Sequence, residues 1–420
     1  MQGKALAGRI KEQGYKRDWK GILASLEEGP RNAIVCTVAI NALGKIGKWY
    51  LGLDVLNDMG VKGDGTDKPR ADAYVYAAAI NACGKAGKAI EAVALLEQME
   101  ERRIQPDEVC YGATIAALSE VAGSETRSTW GAGERTAANL GDDSKDATVT
   151  VEDVDVSDGN DDGDNAIGGG PDGGAGSGST APAVFSMRAH EKAVALIQKM
   201  RQNGPRPNEQ CFASAITACA RAIAPKAALR LLGIMREDGV APNSVALNAA
   251  VDACGKGNAP DEAVRLLRGM ERAYGVKPDQ ITYNSAISAL SRAGRSVEAR
   301  VLLEEMSSKG LKADRISYAA AMQGFATAGD SGNASKLTAQ MKSSGLEMDV
   351  VNYGTAISAC GKAGDVKGAM KLLKEMKAAE LEANVVVYNS ALDACSRAGK
   401  PNVAKQLMDM MKDSGYGKGI

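Results

Sequence analysis

The chain has 420 residues, with 51 basic against 52 acidic side chains, a single histidine and 4% aromatics. Three Phe and three Trp leave too little material for an aromatic-anchored core or sandwich, and the lone His190 argues against His-based triads, zinc hydrolase sites and proton shuttles. No run of about 18 apolar residues exists to span a membrane. The 45% of hydrophobic residues are mainly Ala, Val, Leu, Ile and Met, which suits helices packed through small and flexible side chains.

Residues 1–32 read as an N-terminal helical cap, with one short helix around Lys4–Lys11 and another around Trp19–Leu26. The start, MQGKALAGRIKEQGYKRDW, is basic but lacks an apolar signal core and makes no convincing transit peptide. From Ala33 the sequence repeats with a period of 35 residues, as ITYNSAISALSRAG and VVYNSALDACSRAG show. Successive units begin at Ala33, Ala73, Glu108, Glu209, Ser244, Gln280, Arg315, Val350 and Val385, which makes nine.

Each unit reads as two helices. In the sixth, Tyr283, Ile287 and Leu290 share one face of a first helix, Gly294 breaks it, and Ala299, Leu302, Leu303 and Met306 form the inner face of a second. A methionine stands at the same place in all nine units, from Met59 to Met411, and the residue seven before it is Ala in eight and Gly52 in the first. One hairpin cannot bury its apolar face alone, so stacking must supply the core. The fold class is therefore all-α: a right-handed α-solenoid of about nine helix-turn-helix repeats.

The third unit is split. Residues 33–122 hold repeats one and two and the first helix of repeat three, residues 123–186 form an insertion, and 187–420 resume with the second helix of repeat three and repeats four to nine. The insertion is rich in Gly, Ser and Asp and reads as a disordered acidic segment. It holds 13 acidic residues against 3 basic ones, leaving the array with 48 basic against 39 acidic residues. Asp158-x-Asn160-x-Asp162-Gly163 opens like an EF-hand loop, but position twelve is Gly169 instead of Glu, so a solvated acidic run is the better reading.

Eight cysteines invite a metal or disulfide reading, which their positions oppose. Cys83, Cys219, Cys254, Cys360 and Cys395 fall eleventh in their units, where other units place Leu or Phe325. Such a site is buried and apolar, and no CxxC occurs. No metal and no cofactor is expected.

Residues 4, 8 and 11 of each unit form the core, while 2, 5, 9 and 13 share a different face of the first helix. The second residues are Ile34, Tyr74, Val109, Gln210, Val245, Ile281, Ile316, Val351 and Val386, apolar in eight of nine units. The thirteenth are basic in seven: Lys45, Lys85, Arg221, Lys256, Arg292, Lys362 and Arg397. One apolar platform and one cation per step suit a single-stranded polynucleotide, with bases on the platforms and phosphates on the cations. Two plainer readings compete: the second residues could pack on the neighbouring helix start, and the cations could simply complement a helix C-terminus.

The pattern xTYNxAIxAxxxAGxxxxAxxLLxxMxxxGxxPD resembles the pentatricopeptide repeat. The 35-residue period and the closing Pro106-Asp107 and Pro278-Asp279 set it apart from the 34-residue tetratricopeptide repeat. The resemblance implies sequence-specific binding of single-stranded RNA in a mitochondrion or chloroplast, one base per unit. The fifth and last residues of each unit would read the base edge, and the second residues would sandwich the base.

Carried over, the fifth-position readers are Thr37, Asn248, Asn284 and Asn389, while Ala77, Gly112, Ala213, Ala319 and Gly354 leave five units with one reader missing. The last-position readers are Asp72, Asp107, Asn208, Asn243, Asp279, Asp314, Asp349 and Asn384, and Gly419 removes the ninth. The family pairs Asn with Asp for uracil and Thr with Asp for guanine. A carboxylate accepts the ring N–H that both bases display, and an amide suits adenine or cytosine. Read from the N-terminus, the expected site is 5′-G-K-M-M-U-U-K-M-N-3′, K being G or U and M being A or C. No catalytic residue is assigned. The expected partners are single-stranded RNA and recruited processing factors, with no membrane, and the chain is expected to be a monomer. The alternatives are a protein-binding scaffold and the repeat region of an RNA-processing nuclease without its catalytic domain.

Overall fold

The computed structural model describes residues 2–29, 32–60, 69–122 and 188–416. The expected disordered acidic insertion and Gly419 lie outside them.

Among the described residues the chain is helical hairpin after helical hairpin. The first is α1 (Gln2–Tyr15) with α2 (Trp19–Glu28), and its opening helix is longer than the sequence suggests. Nine hairpins follow: α3–α4 (Ala33–Ile46, Trp49–Asn57), α5–α6 (Ala73–Lys85, Ala89–Glu101), α7–α8 (Glu108–Val121, Ala189–Asn203), α9–α10 (Glu209–Arg221, Pro225–Glu237), α11–α12 (Ser244–Lys256, Pro260–Tyr274), α13–α14 (Gln280–Arg292, Ser296–Ser308), α15–α16 (Arg315–Ala328, Ser331–Ser343), α17–α18 (Val350–Ala363, Val366–Ala378) and α19–α20 (Val385–Arg397, Pro401–Met411). Every repeat start read from the sequence is the first residue of a first helix.

The helices begin there because the residue before each start is Asp or Asn. Its side-chain oxygen accepts the backbone N–H three residues on, as Asp107 does from Cys110 and Asp279 from Thr282, both at 2.9 Å. That bond satisfies one of the orphan N–H groups of the first turn and stabilises the helix by about 1 kcal/mol. The last residue of one unit is therefore the N-cap of the next. At the other end, residue fifteen turns the chain with positive φ in eight units. Gly294 does so without strain at φ 75°, whereas Ile223 holds φ 57° with a β-branched side chain.

Each first helix packs on the first helix of the next unit and on its own second helix, and each second helix also touches the following first helix. The close approach of first helices rests on small side chains. A Cβ added to Gly44 would stand 2.6 Å from that of Ala82, and one on Gly255 3.1 Å from that of Ala289. These are residues twelve and ten of neighbouring units, always Gly, Ala or Ser in this chain. First helices so crowded form one layer, and the second helices form the other.

The core is broader than the stripe of residues 4, 8 and 11. Residues 3, 7 and 10 join it, as Thr282, Ala286 and Ala289 do in the sixth unit. All nine methionines, Met59 to Met411, are buried. The split unit packs as one hairpin, α7 against α8, and Lys192 of α8 reaches back to Glu97 of α6 at 3.0 Å. All eight cysteines are buried. Burial pushes Cys219 and Cys254 up to about 12, so neither is a thiolate at neutral pH. No helix of the described residues is long and apolar enough to cross a membrane.

Candidate nucleic-acid interface

The first helices carry residues 2, 5 and 13 on one side of their layer. Ile34, Tyr74, Val109, Val245, Ile281, Ile316, Val351 and Val386 are 57 to 73% exposed. They do not pack on the neighbouring helix start, which removes the plainer reading of that position. An exposed large apolar side chain is ordinary once; eight at equal steps along one array form a surface that water does not favour.

The fifth residues lie one helical turn on from these platforms. Thr37, Asn248 and Asn284 are half-buried and Asn389 is exposed, whereas Ala77 and Ala213 are buried, the latter with 4% exposure. The structure brings the expected partners together most directly in unit five. The Asn248 amide nitrogen donates to the Asp279 carboxylate at 3.1 and 3.2 Å. Burial alone would raise the Asp279 carboxyl, but hydrogen bonds from Thr282 and Asn248 outweigh it and hold the group below the usual aspartate range. Asp279 is thus an ionised acceptor at neutral pH.

In unit six the Ser317 hydroxyl stands between the pair, 2.6 Å from the Asn284 oxygen and 2.9 Å from an Asp314 oxygen, with its one proton shared between them. In unit one the pair does not meet: the Thr37 hydroxyl donates to the Ala33 carbonyl of its own helix at 2.8 Å, while Asp72 caps α5 through Val75. Asn208 and Asn243 cap the next helix through their oxygens and give their amide nitrogens to Glu108 and Glu209. Asp349 likewise caps α17 through Asn352, and Asn384 caps α19 through Val387. The capping role of all these residues was missed in the sequence, although Asp or Asn directly before an apolar-periodic stretch is its signature.

The cation at residue thirteen has several local partners. Lys256 and Arg397 pair with Asp252 and Asp393 one turn back, at 2.6 and 3.0 Å. Arg221 meets Glu120 at 3.1 Å and donates to the Ser119 carbonyl at 2.6 Å, while Lys362 donates to the Thr327 carbonyl at 3.4 Å. Lys45 lies over the exposed Tyr15 ring at 5.9 Å. Lys85 and Arg292 are exposed and make no ion pair among the described residues. Partly exposed pairs of this kind are worth about 0–1 kcal/mol, so a phosphate can take either cation over. Complementing the previous helix end, as Arg221 and Lys362 do, is the part the plainer reading foresaw. Among the described residues no three His, Cys, Asp or Glu side chains gather as a metal set.

The model of the pentatricopeptide repeat domain matches residues 184–257, 336–396 and 371–416. That of the PPR repeat family matches 242–292 and 278–327, and that of the PPR repeat 34–64 and 74–104, so together they cover more than half of the chain. No curated protein matches it. The crystal structure of the pentatricopeptide repeat protein PPR10 from maize is similar over 98% of this chain and 49% of its own, at 22% identity and a TM-score of 0.64. The chain thus spans about half the length of that protein, and the likeness shows the fold alone. PPR10 in complex with an 18-nt psaJ RNA element is 19% identical over 99% of this chain and 64% of its own, at a TM-score of 0.42. Nuclear proteinaceous RNase P 2 from A. thaliana is 16% identical over 36% of this chain and 34% of its own, at 0.33. Neither of the last two overlays closely enough to bear on the site.

Proposed function

The chain belongs to the pentatricopeptide repeat family, and on that premise we propose that it binds single-stranded RNA along the first-helix face, one base to a unit. The observation that carries this is the row of eight exposed apolar side chains at the second position, in step with polar readers at the fifth and last. A base needs an apolar face to lie on and a donor or acceptor at its edge, and units one, five, six and nine offer both within one helical turn. Phosphates would meet the cations of residue thirteen, which explains why a near-neutral chain keeps its positive excess in the array.

Units five and six form the reading centre of the proposal, each pairing Asn with Asp for uracil. Unit one, with Thr37 and Asp72, would read guanine more weakly because the two side chains do not touch. We place the chain in an organelle, where it would govern processing, stability or translation of a transcript by occupying it, without catalysis of its own.

The test is selection from a random RNA library with the purified protein. The selected motif should contain UU, and Asn284→Thr should turn the second U toward G while leaving the first. A selection without UU, or a swap that shifts nothing, would overturn base readout by these residues and favour a protein-binding scaffold.

A further inference from the structure

We infer that the third residue of the following unit is a positioning residue for base readout: Thr282 sets which way the Asn248 amide faces beside Asp279, and Ser317 does so for Asn284 beside Asp314. The inference rests on the reading of the first-helix face as an RNA track.

An Asn amide has nearly the same shape after a half-turn about its last bond, yet the turn exchanges donor for acceptor. Its neighbours must therefore choose the orientation. Thr282 is fully buried and sits in the first turn of α13. Its hydroxyl oxygen accepts the Asp279 backbone N–H at 3.2 Å, which closes the helix cap. Its one proton has two acceptors in reach, the Asn248 oxygen at 2.5 Å and an Asp279 oxygen at 2.9 Å, and it goes to the nearer one. With its oxygen held, Asn248 must turn its nitrogen to the carboxylate.

One amide N–H and the free lone pairs of Asp279 are then left side by side. That donor–acceptor edge complements uracil, whose ring N–H lies next to a carbonyl. Cytosine presents the reverse and would set a ring lone pair against the carboxylate. Ser317 repeats the hydroxyl's share of this wiring: it accepts the Asp314 N–H at 3.2 Å and donates to the Asn284 oxygen at 2.6 Å. Unit one supplies the contrast. Val75 occupies the equivalent third position and offers no hydroxyl, and Thr37 turns to its own helix instead. The two units joined to a third-position hydroxyl are the two that carry Asn at five and Asp at the end.

The experiment compares Thr282→Val, which keeps the shape and removes the proton, with Thr282→Ser and Asn248→Ala in the full chain. Fluorescence anisotropy would measure each against two RNA oligonucleotides that differ only in U or C at the base facing unit five, and two more that differ at unit six. The unaltered protein should prefer U by about tenfold at each position, the scale of one or two hydrogen bonds. Thr282→Val should reduce the unit-five preference to within about threefold and leave that of unit six intact, and Thr282→Ser should restore it. The unit-six preference serves as the check that the Val variant is folded, and a merely structural role would lower both together. If Thr282→Val keeps the preference while Asn248→Ala loses it, positioning is overturned and base reading stands. If Asn248→Ala also changes nothing, base reading itself fails and takes the inference with it.

Discussion

In units three and four, both ends of the last residue's amide are engaged inside the protein. Asn208 and Asn243 accept the N–H that caps the next helix and give their nitrogens to Glu108 and Glu209, and the fifth positions are Gly112 and Ala213. In units five and six, Asp279 and Asp314 cap just as well through one oxygen and stand next to an asparagine held by a hydroxyl, and in unit five the other carboxylate oxygen also meets that asparagine's nitrogen. The hairpin is the same in both regions, and so are the buried methionines and the exposed second residue, which is apolar in three of the four units. A helix cap thus takes only half of an aspartate, and whether the other half faces outward depends on two neighbouring side chains.

The comparison is broken most strongly by removing the readers. Asn248→Ala with Asn284→Ala should cost about tenfold in preference per base, roughly 100-fold for a UU site against CC, with little change in affinity for RNA that lacks UU. Binding of paired oligonucleotides checks it.

Next in size is the charge that both regions share. Changing Lys256, Arg292, Lys362 and Arg397 together to Ala should weaken all single-stranded RNAs alike. It should also flatten the log–log salt dependence by up to about 2.8, at roughly 0.7 per phosphate contact. Titration from low to high salt reads this directly, and an unchanged slope would put these residues off the RNA path.

The contrast can be sharpened by converting unit four into unit five. Ala213→Asn, Asn243→Asp and Ala246→Thr together should create a severalfold U preference at that base. The first two changes without Ala246→Thr should give less, because nothing then orients the new amide. The added methyl and hydroxyl at the buried Ala246 should lower stability by about 1–3 kcal/mol, which a melting curve will show.

The turns of the two regions differ more modestly. Ile223→Gly should stabilise the array by about 1 kcal/mol, because it relieves a β-branched residue at positive φ and loses little burial. Gly294→Ile should destabilise it by a similar amount, both read from thermal unfolding. The smallest effect is expected from deleting 124–183 behind a short Gly/Ser bridge. Since α7 and α8 pack as one hairpin, the melting temperature should barely move, and a loss of several kcal/mol would assign the insertion a structural part.

Much of this was legible in the residues because it is local. The period, the nine helix starts, the buried methionines and the core cysteines all follow from spacings within one hairpin, where 3.6 residues per turn decides which side chains share a face. The caps obey a three-residue rule and were equally readable, yet Asp279 drew attention as a reader and its cap went unnoticed. Residues 10 and 12, always small, also carried a visible signal for close helix packing.

What the tertiary structure alone decided is which side chain of one unit meets which of the next. Thr282 touches Asn248 across 34 residues of chain, and Lys362 reaches the Thr327 carbonyl across 35. Those contacts depend on the depth and register at which two first helices stack, set by the small side chains between them. The repeat pattern of this protein states the fold, the exposed face and the residue types on it. The orientation of each amide, and which of its hydrogen-bonding groups remain free, is fixed by the neighbouring unit and therefore appears only once the hairpins are packed.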